Sequence, residues 1–141
     1  MRLDRHSARS LEISIESDSD LLAARQEARA IAFELGFSLT AVVGIVTALS
    51  EMTRNMLTYA GRGELRIESI RDGDRSGILI TARDEGPGIP DLQKAMMDGY
   101  STSGGLGIGL PGIKRLMDSF EVHTGPEKGT TVIVRKWLEK H

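Results

Sequence analysis

The chain has 141 residues, 40% hydrophobic and 27% charged, with a net charge of −2. That is the composition of one soluble domain large enough to bury a core, and a pI near 5.9 excludes the global basic footprint of a nucleic-acid binder. Cysteine is absent, which excludes a disulfide framework and thiolate chemistry and fits the cytoplasm.

Met1 to Ser10 carries Arg2, Arg5 and Arg9 with no apolar run behind them, so it does not read as a secretory leader. Residues 1–9 are expected to form a flexible tail on a single domain spanning 1–141. No apolar run reaches the ~18 residues of a membrane span. Leu11 to Glu16 alternates apolar and polar residues and predicts a half-buried strand. Asp18 or Ser19 then reads as an N-cap. Leu21, Leu22, Ala28, Ile31, Ala32 and Leu35 follow at helical spacing, with Gly36 as the C-terminal stop. A second helix is predicted from about Ser38 to Ala60, closed by Gly61, with Val42, Ile45 or Val46, Leu49, Met52 and Met56 as its apolar stripe. Gly44 weakens that helix by about 1 kcal/mol relative to Ala.

Gly63 to Arg71 and Gly77 to Asp84 read as two strands of a hairpin, with Asp72-Gly73-Asp74-Arg75-Ser76 as the turn. Asp91 to Asp98 reads as a short helix, Tyr100 to Gly109 as a Gly/Ser-rich loop and Leu110 to Phe120 as a helix. Phe120 to Thr124 and Thr130 to Trp137 form a second hairpin around Gly125-Pro126-Glu127-Lys128-Gly129. This order points to an α+β fold, a two-layer sandwich with helices on one face of a mixed, mostly antiparallel sheet.

Three segments carry chemistry. Glu51 and Asn55 are four apart on a helix and share a face beside the Met52/Met56 stripe. A carboxylate next to a carboxamide oxygen suits a hard cation such as Mg²⁺, and the carboxylate alone suits orienting or deprotonating a hydroxyl. The competing reading is an ordinary solvated helix face. Asp84-Glu85-Gly86-Pro87-Gly88 follows a strand. Its glycines permit close backbone approach to a flat ligand, and Asp84 can accept from an amine such as that of adenine; the alternative is a capped turn. Gly104, Gly105, Gly107 and Gly109 precede a helix, where backbone N–H groups and the helix dipole favour phosphate; the alternative is a surface loop. Gly107 to Gly112 matches G-x-G-x-x-G but follows a loop, so a dinucleotide fold does not fit, and there is no P-loop.

As an ordered set, E-x-x-x-N on a helix, D-x-G-x-G after a strand, G-x-G-x-G before a helix and Gly129-Thr130-Thr131 resemble the N, G1, G2 and G3 boxes of the GHKL ATPase and histidine-kinase superfamily, the Bergerat fold. Gly99-Tyr100-Ser101-Thr102-Ser103-Gly104-Gly105-Leu106-Gly107 and Gly109 to Asp118 narrow the likeness to RsbT-type serine/threonine switch kinases of the bacterial stressosome. That resemblance implies ATP and Mg²⁺ as cofactors. It makes Glu51 the general base or water-ordering carboxylate, and Asn55 the Mg²⁺ ligand. Asp84 would read adenine, with Gly86 and Gly88 giving close approach. Gly104, Gly105, Gly107 and Gly109 would belong to the ATP lid, and Thr130 or Thr131 would support the adenine pocket. It also implies STAS-domain proteins as substrates and a PP2C-type phosphatase as a later partner, with no nucleic acid and no membrane. Two alternatives stand beside it: an anti-sigma factor that sequesters a sigma factor, and a catalytically silent adaptor. A histidine-kinase catalytic domain would need a phosphoacceptor His on a helix pair, and His6, His123 and His141 do not supply one.

Overall fold

The computed structural model describes residues 10–88, 96, 109–125 and 129–139. They form β1 (Ser10–Ile15), α1 (Asp18–Leu35), α2 (Leu39–Tyr59), β2 (Gly63–Asp72), β3 (Arg75–Asp84), α3 (Gly109–Leu116), β4 (Ser119–Gly125) and β5 (Gly129–Trp137). The strands make one five-stranded sheet in the order β1-β2-β3-β5-β4. Every pairing in it is antiparallel.

Alternation along the strands decides which face is covered. Leu65 and Ile67 of β2, Ile78 and Ile80 of β3 and Val134 of β5 have no exposed surface. They share one face and one core cluster with Ile31 of α1 and with Ile45, Leu49 and Met52 of α2. Each such side chain contributes roughly 1.5–3 kcal/mol by leaving water. Both α1 and α2 lie on this face, and α3 packs on α2 and touches β4. This is the expected two-layer α+β arrangement. The other face carries ion pairs such as Arg66–Glu12 at 3.1 Å and Arg135–Glu121 at 3.0 Å, as suits a sheet face left to water. Arg135, then His123, holds the Glu121 carboxyl below its ordinary range.

Several boundaries differ from the sequence expectation, each for a local reason. The cap of α1 is Ser17 rather than Asp18 or Ser19. Its hydroxyl accepts the Asp20 N–H, while the Asp20 carboxylate accepts the Glu16 N–H at 2.8 Å, a reciprocal cap. Leu22 points outward and Ala24 takes its place in the core. The first hairpin is tighter than expected. Asp72 pairs with Arg75, and Gly73 at φ +66 supplies the left-handed turn residue. The third helix stops at Leu116. The Asp118 N–H donates to the Arg135 carbonyl at 2.8 Å, and the Asp118 carboxylate accepts the Trp137 N–H at 2.8 Å. Those bonds turn the chain into β4, so Phe120 is a strand residue facing Val134. The expected tail at 1–9, the short helix at 91–98, the glycine-rich loop up to residue 108 and the turn at 126–128 lie outside the described residues, apart from Met96.

Candidate active site

The second helix is unusual around its middle. Ala48 through Thr53 are all buried, although a helix lying on a sheet ordinarily hides a single stripe. The cover comes from several sides: α2 touches α1, α3, β2 and β3. The Ser50 and Thr53 hydroxyls satisfy themselves by donating to the Val46 and Leu49 carbonyls at 2.7 and 2.8 Å. Among the described residues, Glu51 is the one carboxylate buried to this degree, at 7% exposure. Its Oε2 accepts a charge-assisted hydrogen bond from Arg54 Nη1. Only 10% of the Glu51 side chain is exposed, against 47% of Arg54. Asn55, half-buried, follows on the same helical face as Glu51.

Asp84 ends β3 and sits directly across from Thr130 of β5. Its Oδ1 accepts the Gly86 N–H at 2.9 Å, which fixes the carboxylate and leaves Oδ2 to accept from a ligand. Gly86 lies so close to the end of α2 that a Cβ there would stand 2.6 Å from Ala60 Cβ. That contact ties the Asp84 corner to the helix bearing Glu51 and Asn55. Gly88, at φ +83, docks on the other side, where a Cβ would be 2.7 Å from the Gly125 carbonyl oxygen. Gly129, at φ +72, opens β5, and any side chain on it would overlap the Asp84 carbonyl.

Register separates the two threonines. Thr130 continues the row of Val134 and Val132, beside Asp84 and on the helix-covered face. Thr131 pairs with Arg83 and His123 and so belongs to the opposite, water-facing side of the sheet. Thr130 Oγ1 lies 2.9 Å from Thr124 Oγ1. Gly109, at φ +69, starts α3. Gly104, Gly105 and Gly107 lie outside the described residues. A cleft of about 400 Å³ opens beyond Asp84 and Gly86, with Ser14, Glu16, Arg62 and Arg83 among its walls; those walls are polar and suit water better than an adenine ring.

Two residues of this region were not singled out from sequence. Thr124 is found by running the alternation of β4 against that of β5. Ala60 is visible only once α2 and the loop after β3 are in place. Arg54 was legible in the sequence, directly before Asn55 and three residues after Glu51.

Residues 15–136 match the model of the histidine kinase-like ATPase domain. The chain belongs to that family, in its RsbT-type serine/threonine kinase branch. It is 49% identical over 126 residues to the serine/threonine-protein kinase RsbT of Bacillus subtilis, covering 89% of this chain and 95% of that one. It is also 38% identical over 103 residues to the anti-sigma F factor of Oceanobacillus iheyensis, covering 68% and 69% of the two chains. Solved structures show the same fold. The RsbU and RsbW domains of Rv1364c from Mycobacterium tuberculosis align with a TM-score of 0.64 at 17% identity, over 92% of this chain and 32% of that one. The SiaB–SiaC complex from Pseudomonas aeruginosa aligns with a TM-score of 0.57 at 14% identity, over 96% and 93%.

The residues present fit this family's nucleotide. Among the described residues no three His, Cys, Asp or Glu side chains cluster as a metal cage. A carboxamide oxygen such as that of Asn55 suits Mg²⁺, which takes few protein ligands and completes its shell with phosphates and water. The fixed Asp84 carboxylate suits the amino group of adenine. No helix among the described residues is long and apolar enough to cross a membrane.

Proposed function

We propose that this kinase moves the γ-phosphate of Mg-ATP to a serine or threonine hydroxyl of a STAS-domain regulator, and afterwards binds and activates a PP2C-type phosphatase. The observation that carries the reading is the buried Glu51, one turn from Asn55 on a helix tied through Ala60 and Gly86 to the Asp84 corner. Asp84 would read adenine and Asn55 would hold Mg²⁺ against the phosphates, with Gly104, Gly105, Gly107 and Gly109 closing over them. Mg²⁺ supplies charge neutralisation when bound. Glu51 orients the acceptor hydroxyl and takes its proton as oxygen attacks phosphorus and ADP departs. Little further chemistry is demanded, because phosphoryl transfer depends mainly on positioning and charge stabilisation.

The test mixes the chain with γ-labelled Mg-ATP and a candidate STAS-domain protein and measures acid-stable label on that protein. Label is expected with the intact chain and is lost with Asn55→Ala. Absence of label in a mixture that forms both the nucleotide and the protein complex would refute transfer for that pair. The similarity to anti-sigma F factors favours a second reading, in which the chain sequesters a sigma factor; retention of a sigma factor rather than a STAS protein would select it.

A further inference from the structure

We propose that Arg54 is a gating residue for Glu51: it holds that carboxylate while the site is empty and transfers to the γ-phosphate when ATP binds. The inference rests on the kinase reading and adds a control step to it. Three observations carry it. Arg54 Nη1 occupies Glu51 Oε2, so the oxygen that would meet an acceptor hydroxyl is already engaged by the guanidinium. The Glu51 side chain is 10% exposed and fixed in the protein, whereas Arg54 is 47% exposed, so the arginine arm can turn without unpacking α2. Arg54 also precedes Asn55 directly, which puts it on the turn expected to face the phosphates and their Mg²⁺.

The exchange has a physical drive. A buried carboxylate gains from a neighbouring cation, so with no nucleotide Arg54 stays on Glu51. A γ-phosphate carries more charge than a carboxylate and accepts two parallel N–H bonds from a guanidinium. It can therefore draw Arg54 away once Mg-ATP is in place. The freed Glu51 oxygen then accepts the proton of the acceptor hydroxyl. The hydroxyl oxygen bonds to the γ-phosphorus, and the bond from phosphorus to the β–γ bridging oxygen breaks. ADP leaves with that electron pair. ADP alone has no γ-phosphate to offer, so Arg54 remains on Glu51. The residue thus reports which nucleotide is bound before any acceptor arrives.

Equilibrium titration of the full chain with Mg-ATP and with Mg-ADP tests this without an acceptor protein. Arg54→Ala is expected to weaken ATP by about tenfold or more, the scale of a lost charged hydrogen bond, and to leave ADP within about twofold. Arg54→Lys should recover part of the ATP loss. Glu51→Gln releases Arg54 from its resting partner, so it should tighten ATP and leave ADP unchanged. Equal weakening of both nucleotides by Arg54→Ala, no change in either, or weaker ATP binding by Glu51→Gln would overturn the proposal. The kinase reading fails separately: a chain that discriminates ATP from ADP through Arg54 but labels no STAS protein keeps the gate and loses the substrate.

Discussion

Replacing Gly86 by alanine should damage stability and nucleotide binding together, and the structure sets the scale. The added Cβ would lie 2.6 Å from Ala60 Cβ and 3.0 Å from Ala60 Cα, where carbon atoms in contact prefer about 3.5–4.0 Å. The loop after β3 must therefore retreat by about 1 Å from α2. Overpacking of this kind costs about 1–3 kcal/mol. The Gly86 N–H holds Asp84 Oδ1, so the displacement carries the Asp84 carboxylate, the proposed adenine reader, with it. Losing a charged hydrogen bond of about 1.5–3 kcal/mol corresponds to roughly 10- to 100-fold in ATP affinity. Urea denaturation reads the first effect and equilibrium titration with Mg-ATP the second. Ala60→Gly in the same chain removes the nearest clashing atom and should restore much of the affinity. Wild-type affinity in Gly86→Ala, or no recovery on adding Ala60→Gly, would refute the claim that this contact positions Asp84.

Two further substitutions examine register and helix strength. Thr130→Ala removes the hydroxyl beside Thr124 and should cost about 1 kcal/mol and weaken ATP, whereas Thr131→Ala, on the opposite face, should stay within about 0.5 kcal/mol and bind ATP as before. Equal loss of affinity in both would contradict the face assignment, and thermal melts with nucleotide titration decide it. Gly44→Ala should stabilise the chain by about 1 kcal/mol, because the new Cβ would meet Leu116 Cδ2 at an ordinary 3.6 Å. A lower denaturation midpoint would show that α3 sits too tightly on α2 to admit a methyl group.

Much of the layout was legible because its signals are local. Period-2 runs marked the strands, the Val42-to-Met56 stripe marked α2, and Gly36 and Gly61, both at positive φ, marked helix ends. What escaped was decided by tertiary bonding. The pattern of α3 continues past Leu116, and only the bonds from Asp118 to β5 show why the helix ends there. The candidate site divides the same way. Spacing put Glu51 beside Asn55, but Thr130 and Thr131 look alike until pairing with Asp84 and Arg83 assigns each to a face. Gly86 reads as a turn glycine, and its packing against Ala60 depends on a loop and a helix end far apart in sequence.

The position of β5 bears on how the chain is made. This strand comes last among those described, yet it lies inside the sheet between β3 and β4. It also brings Gly129 and Thr130 to Asp84. A chain emerging from the ribosome can form the β2–β3 hairpin and both long helices early, since their contacts are local. Until β5 arrives, β3 has an open hydrogen-bonding edge and β4 has no neighbour in the sheet. The corner around Asp84 is then missing a wall. Completion of the Asp84 corner therefore waits for β5, and a chain stalled before that strand would present a sticky strand edge.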